Sequence, residues 1–253
     1  YAVIPILLSS GEIDRALAAM NECLDYAVRS GFVVPLAETR CLTAQLFARV
    51  GDSETALRLA EQALTVARER LPGWTIWVYS TLAEIHLLAG DNAAARGAIQ
   101  AATELMKESD IGHLRLVCLL TDSEVTLTEG NPVRALDLAE RALALLLEMG
   151  VKYMLEIALL RKGRALPALG RLEEARSVLQ EGRAFAQATH ARFSLWQILS
   201  ALSDLEAQLG HPDDAERLRA EAREIIAFVA AHISQPELRK SFLNTAEVKR
   251  VTG

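Results

Sequence analysis

Polar side chains recur at one register of this 253-residue chain, six positions before a glycine that itself returns about every forty residues. Five of the six residues at this register are polar, whereas the flanking registers are mostly apolar. Carboxylate, amide and guanidinium groups hold ligands through hydrogen bonds and ion pairs, so the pattern indicates binding rather than bond making. The register consists of Pro5, Gln45, Glu84, Glu124, Arg164 and Asp204.

A second register, thirteen positions before the glycine, carries Glu38, Trp77 and Gln197. Ligand pockets combine a few polar groups with aromatic surface, and Trp77 is the tryptophan that we expect to contact a ligand. Trp74 and Trp196 are expected to pack between helices. In a curved stack of helix pairs, the first helix of each pair would line an inner groove, and these residues stand on those first helices. A competing interpretation is that this groove is polar only because water solvates it. The predicted groove residues are Glu38, Gln45, Trp77, Glu84, Glu124, Arg161, Arg164, Gln197 and Asp204.

No stretch of the sequence has the spacing of a catalytic or metal site. The motifs Gly-x-x-x-x-Gly-Lys, Gly-x-Gly-x-x-Gly and His-Glu-x-x-His are absent. The five histidines are scattered, and an isolated histidine is usually a structural or surface residue. Acidic pairs such as Glu173–Glu174 stand at predicted helix starts, where negative charge favours the helix dipole. We therefore expect a non-enzymatic chain with no cofactor and no metal, any activity belonging to other domains.

The glycines that define these registers predict a repeat architecture. They are separated by 39 or 40 residues, and an alanine follows each of them five positions later. Self-similarity at a period of about 20–50 residues is the mark of a solenoid. The sequence therefore predicts an all-α superhelix of six helix–turn–helix repeats with the first truncated. The glycines are Gly11, Gly51, Gly90, Gly130, Gly170 and Gly210.

One unit shows how the helices are positioned. Apolar residues follow helical spacing over 75–89, Gly90 can adopt the left-handed conformation that ends a helix, and Asp91 is a suitable N-cap for a second helix over 92–107. Because the turn is short, the two helices must be antiparallel. The register five before each glycine is apolar from Ile6 to Leu205, so we expect it to be buried.

Charge and cysteine usage narrow the classes of partner. The net charge is −6, and no dense basic cluster could neutralise a row of phosphates, so direct nucleic-acid binding is not expected. The three cysteines are far apart and odd in number, which favours a reducing, cytoplasmic setting. No apolar run is long enough to predict a membrane span. The chain begins at Tyr1 within a helical pattern, so we expect further domains upstream.

The glycine, the alanine five positions later and the small residues seven before and twelve after it together resemble the tetratricopeptide repeat (TPR). The unit of about 40 residues is longer than the 34 of the standard TPR. The longer unit resembles the sensor arrays of MalT-like transcription activators and the arrays attached to signal-transduction ATPases, cyclases and kinases. This resemblance implies a scaffold that binds partners.

The C-terminal residues 233–253 also resemble the end of such arrays, where a short helix closes the stack. The last repeat would otherwise expose an apolar face. We expect Leu238, Phe242, Leu243 and Val248 to cover that face. The predicted organisation is therefore a repeat array over 1–232 and a capping segment over 233–253.

Three functions remain open at this point. The first is an interaction domain, the C-terminal sensor array of a larger transcriptional or signalling regulator, which binds a protein, a peptide or a small effector. The second is a self-association module that builds a homo-oligomer. The third is the regulatory tail of an ATPase, cyclase or kinase. The sequence does not name the partner.

Overall fold

The protein is all-α. The computed structural model describes residues 3–107, 111–152 and 154–253, and no strand occurs within those ranges. Short 3-10 turns precede α5 and follow α9. The helices are α1 (Val3–Ser10), α2 (Ile13–Ser30), α3 (Val33–Arg49), α4 (Ser53–Arg70), α5 (Thr75–Leu88), α6 (Asn92–Met106), α7 (Gly112–Thr128), α8 (Pro132–Met149), α9 (Leu155–Ala165), α10 (Leu172–Ala188), α11 (Arg192–Gln208), α12 (Pro212–Ala231), α13 (Pro236–Asn244) and α14 (Ala246–Thr252).

Each of the six glycines that recur about every forty residues ends a helix, as the sequence predicts. All six have positive φ angles, between 73° and 84°. The next helix then begins at a side-chain cap in three turns, where Asp52, Asp91 and Asn131 accept hydrogen bonds from backbone N–H groups three residues later. These caps satisfy donors that the first turn of a helix leaves unpaired. The local sequence therefore determines where the chain reverses.

The first twelve helices pack in consecutive antiparallel pairs through small residues. The alanine five positions after each glycine is buried in every pair. It meets the small register seven before the glycine: Ser123 Oγ donates to the carbonyl of Ala135 at 2.8 Å, and Ser203 Oγ donates to that of Ala215 at 2.7 Å. The prediction that every residue five before the glycine is buried is wrong for Ile6, which is 64% exposed because none of the described residues covers that side of α1.

The stack curves until its first helices contact its last ones. Arg192 on α11 donates from Nη1 to the carbonyl of Ser10 at 3.3 Å. The Asp14 carboxylate accepts from the backbone N–H of Ser234 at 2.8 Å and from its hydroxyl at 3.1 Å. The Asp14 backbone N–H donates to the carbonyl of His232 at 3.0 Å. The helix pairs therefore form a nearly closed ring around a central space.

The C-terminal segment forms two helices, α13 and α14, rather than one. Leu238, Phe242 and Val248 are buried, and the Phe242 ring lies 6.2 Å from that of Phe193 on α11. The prediction for Leu243 is wrong: it is 41% exposed, because it lies on the face of α13 that points away from the array. The segment packs on α11 and α12 and also reaches the turn between α3 and α4, so it spans the ring.

None of the helices within the described ranges is long and apolar enough to cross a bilayer.

Candidate binding cavity

The ring encloses a central cavity of about 760 Å³. Its walls come from the first helix of successive pairs, α3, α5, α7, α9 and α11, and its remaining side is formed by α13 and α14. The predicted groove residues that line it are Glu84, Glu124, Arg161, Arg164 and Gln197. The volume lies in the range of small-molecule sites, about 300–1,000 Å³.

Neighbouring polar residues of the first register contact each other across the helices. The Gln45 amide on α3 donates from Nε2 to Glu84 Oε2 on α5 at 3.2 Å. Arg49, one turn after Gln45, adds an ion pair to Glu84 Oε1 at 3.0 Å. Gln45 and Glu84 therefore pair with protein groups and not with water alone. These polar groups form a network between repeats that holds the side chains in place.

Glu124 is the centre of this network. Its two carboxylate oxygens form ion pairs with Arg161 Nη1 at 2.9 Å and Arg164 Nη1 at 2.6 Å, both on α9. Burial opposes ionisation of Glu124, but the guanidinium groups of Arg161, Arg164 and Arg250 hold its pKa below the ordinary value. The two guanidinium groups have more N–H donors than one carboxylate accepts, while Glu247 and Asp204 add negative charge near Arg164.

The C-terminal helices bring further polar groups to the same cavity. Gln197 on α11 donates from Nε2 to Glu247 Oε2 on α14 at 3.0 Å. Lys240 and Arg250 also line the cavity and are exposed. The predicted groove residue Gln197 therefore binds the protein's own C-terminal segment, which occupies part of the predicted groove.

Three predicted residues lie apart from this centre. Trp77 is only 4% exposed and stacks on Trp74 with the ring centroids 5.5 Å apart. It is therefore packed more deeply than the prediction that it contacts a ligand implied. Asp204 is exposed beside Arg164 at the rim. Glu38 is half-buried on α3, and burial raises the pKa of its carboxyl to about 7.

Several residues that line the central cavity and a smaller one adjoining it are not predicted from the registers of the repeat. Arg49 and Phe193 stand at registers without a recurring type, and Arg250 belongs to the C-terminal segment, outside the repeats. Glu156, which lines the smaller adjoining cavity, is recognisable in the sequence as an exception to its register. It stands fourteen before Gly170, at a register whose other members are apolar in every unit (Ala37, Ile76, Leu116 and Trp196).

The cavity presents guanidinium, carboxylate, amide and aromatic groups, which can recognise ligands through ion pairs, hydrogen bonds and stacking. Within residues 3–107, 111–152 and 154–253, no three His, Cys, Asp or Glu side chains are grouped so that they could hold a metal ion.

Comparisons with known proteins agree with this architecture. A solved structure of BtubC (BKLC) from P. vanneervenii has a TM-score of 0.57 at 19% identity, and the match covers 88% of this chain and 94% of that one. A Podosopora anserina protein with nearly identical TPR-like repeats has a TM-score of 0.53 at 17% identity, covering 77% of this chain and 96% of that one. The APC/C hetero-tetramer Cut9–Hcn1 has a TM-score of 0.59 at 14% identity, covering 95% of this chain and 47% of that one.

These likenesses concern the fold, since the identities are low. A family model described as the MalT-like TPR region matches residues 37–240, most of the array. A TPR-like array of this kind is a scaffold for protein interaction. The chain therefore belongs to the MalT-like TPR region family.

Proposed function

We propose that this array is a non-enzymatic regulatory domain that binds a protein segment or a small effector in its central cavity. The observation that carries the proposal is the Glu124 cluster, in which two guanidinium groups share one buried carboxylate on the cavity wall. A ligand carboxylate or backbone carbonyl that approached this point would meet N–H donors already held in position. Cut9–Hcn1, one of the similar structures, is a hetero-tetramer.

The proposal extends to the array's place in a larger protein. We propose that residues 1–232 form the array and 233–253 its capping segment, and that the whole serves as the sensor array of a transcriptional or signalling regulator in the bacterial cytoplasm. The three cysteines are all unpaired, which fits a reducing compartment. A ligand that bound one curvature of the ring better than another would shift the population of the two states and so act on attached domains.

The test uses a peptide selected from a random twelve-residue library displayed on phage, synthesised with a fluorophore and measured by anisotropy. Trp77→Ala and Arg164→Glu would test the groove, but the former empties a packed site and the latter places two carboxylates together. Trp77→Phe and Arg164→Gln are therefore the sharper variants. Each is expected to weaken binding by about tenfold, equal to about 1.4 kcal/mol, with an unchanged helical circular dichroism signal.

The matched control is Arg58→Glu, an exposed arginine on the outer helix α4, which should leave the affinity unchanged. If no library peptide binds the folded protein, or if Arg164→Gln binds the selected peptide as well as the wild type, the proposed site in the central cavity is wrong; Trp77→Phe tests whether the packed wall beside that cavity contributes.

A second candidate function, self-association, is favoured by one surface feature. Large apolar side chains are exposed where α2 meets α3, namely Tyr26, Val28, Phe32 and Val34. The rings of Tyr26 and Phe32 lie 6.1 Å apart. Exposed apolar surface of this kind marks interaction sites. Light scattering at several protein concentrations distinguishes a monomer from a dimer, because a dimer doubles the mass. Phe32→Ser should abolish that doubling.

A further inference from the structure

A smaller cavity of about 100 Å³ adjoins the central one, among α1, α3, α5, α7, α9 and α11. Apolar side chains, Trp77 among them, form half of its lining, and the other half is polar, including Arg49, Glu84, Glu124, Glu156 and Arg161. A cavity of about 150 Å³ holds one benzene molecule. This cavity, which we call the Trp77 pocket, therefore has room for a short alkyl chain with a small polar head and excludes a folded segment.

Glu156 is the unexplained group in the Trp77 pocket. It is 7% exposed, and neither an ion pair nor a side-chain hydrogen bond joins its carboxylate to any residue in the described ranges. Burial raises its pKa, and this effect exceeds the opposing effects of its own backbone N–H and the charge of Arg49. Buried carboxylates in proteins are normally paired, so an unpaired one facing a cavity points to a missing partner.

The two arginines that line the Trp77 pocket already form ion pairs with other carboxylates. Arg49 forms its ion pair with Glu84, and Arg161 forms its ion pair with Glu124. Burial also lowers the pKa of His113, which favours its neutral form. Glu156 is thus the carboxylate of this wall that forms no ion pair with a cation of the described residues, although the charge of Arg49 acts on it from a distance. The equivalent register is apolar in the other units, so packing within the repeat does not require an acid here.

Trp77 supplies the second group that suits a cation. Its ring is packed on one side by Trp74 and meets the edge of His113 at 5.3 Å, which fixes its orientation at the pocket wall. The indole is the aromatic side chain that attracts organic cations best, and the attraction grows when water is excluded. A rigid indole and a buried carboxylate in one small pocket, whose two arginines are already paired with Glu84 and Glu124, match an alkyl ammonium group.

We propose that the Trp77 pocket binds a primary alkyl ammonium group, with Glu156 as its counter-ion and Trp77 as its aromatic wall. This inference rests on the proposed function, since it names the chemistry that the binding surface recognises. The ammonium can belong to a free small amine or to a lysine side chain of a segment lying in the central cavity. In both cases the ammonium forms an ion pair with Glu156, and no covalent bond is made.

The experiment titrates n-butylammonium chloride into the whole chain and follows the indole N–H resonance of Trp77 by NMR, assigned with Trp77→Phe. Saturable binding that shifts this resonance is expected, and neutral n-butanol should not reproduce it. Glu156→Gln keeps the shape of the side chain and should weaken butylammonium binding at least about tenfold. It should not lower the melting temperature, because it removes an unpaired buried charge.

Glu181→Gln is the matched control, since Glu181 is exposed on the outer helix α10 and should not affect binding. A peptide pair that carries lysine or isosteric norleucine then distinguishes the source: preference for lysine identifies a protein segment, and equal weak binding of both identifies a free amine. The inference is overturned if butylammonium does not bind the folded wild type, or if Glu156→Gln binds it equally well. The proposed function survives that result if Arg164→Gln still weakens the selected peptide, and it fails separately if it does not.

Discussion

Replacing Gly51 with alanine tests whether the C-terminal helices are docked against the turn between α3 and α4. Gly51 has a φ angle of 84°, and a Cβ atom placed on it would lie 2.9 Å from the carbonyl oxygen of Ser241 and 3.0 Å from Cγ2 of Thr245. Gly90 occupies the equivalent turn with a φ angle of 82°, and its Cβ would meet nothing within 4 Å. The two substitutions therefore share a backbone penalty and differ only in the contact with α13.

The magnitude follows from these two contributions. An alanine in the left-handed region costs about 1–2 kcal/mol, which is the full effect expected for Gly90→Ala. Crowding against backbone that cannot rotate away costs about 1–3 kcal/mol more, so Gly51→Ala should lower the free energy of unfolding by about 2–5 kcal/mol. Urea unfolding followed by circular dichroism measures the free energy of unfolding of both variants. The two are comparable when that free energy falls with urea concentration at the same slope.

A local measurement separates displacement of α13 from general loss of stability. Hydrogen exchange should become faster over 236–252 in Gly51→Ala and remain as in the wild type in Gly90→Ala. If the two variants lose the same free energy and keep the same protection over these residues, the docking of the C-terminal helices across the ring is refuted.

Three further substitutions test the interior of the ring. Glu124→Gln leaves two guanidinium groups without their buried carboxylate and should cost about 3–5 kcal/mol in urea unfolding; a cost below 1 kcal/mol would show that the ion pairs are solvated. The pKa of Glu38 is raised from 4.5 to about 7, so its neutral form contributes stability that is complete below about pH 4.5 and is lost as the pH rises through 7. Glu38→Gln should therefore match the wild type at pH 4 and exceed its stability at pH 8, by about 1–2 kcal/mol after allowance for partial solvation, and equal stabilities at both values would refute this. A Cβ on Gly163 would lie 2.5 Å from Leu179, so Gly163→Ala should cost about 1–3 kcal/mol, and Leu179→Val introduced with it should recover part of that loss in thermal unfolding.

The sequence predicts the candidate site by register but not by pairing. Gln45, Glu84, Glu124 and Arg164 are recognisable because one position of the repeat is polar among apolar neighbours. Which of them pair with each other, and that Arg49 joins them, is not recognisable, because whether a side chain contacts the next repeat depends on its reach and on the angle between helices. The same limit explains Trp77, whose register indicates the groove while its burial depends on the tilt of Trp74 against it.

The sequence by itself determined the local events: helices at a 3.6-residue period, chain reversal at six glycines, and contact through the alanine five after each of them and, except at Ile4, a small residue seven before. These depend on neighbours within one unit, and the structure shows them, whereas the burial predicted for the register five before each glycine is wrong at Ile6. Only the tertiary structure decided that the stack closes, joining Asp14 to Ser234 and Arg192 to Ser10 across about 200 residues of chain. The physical reason is that closure depends on small rotations between neighbouring repeats, which add along the array and which no single repeat reveals. That sum sets α13 and α14 against one side of the cavity and leaves Glu156 buried without an ion pair to any of the described residues.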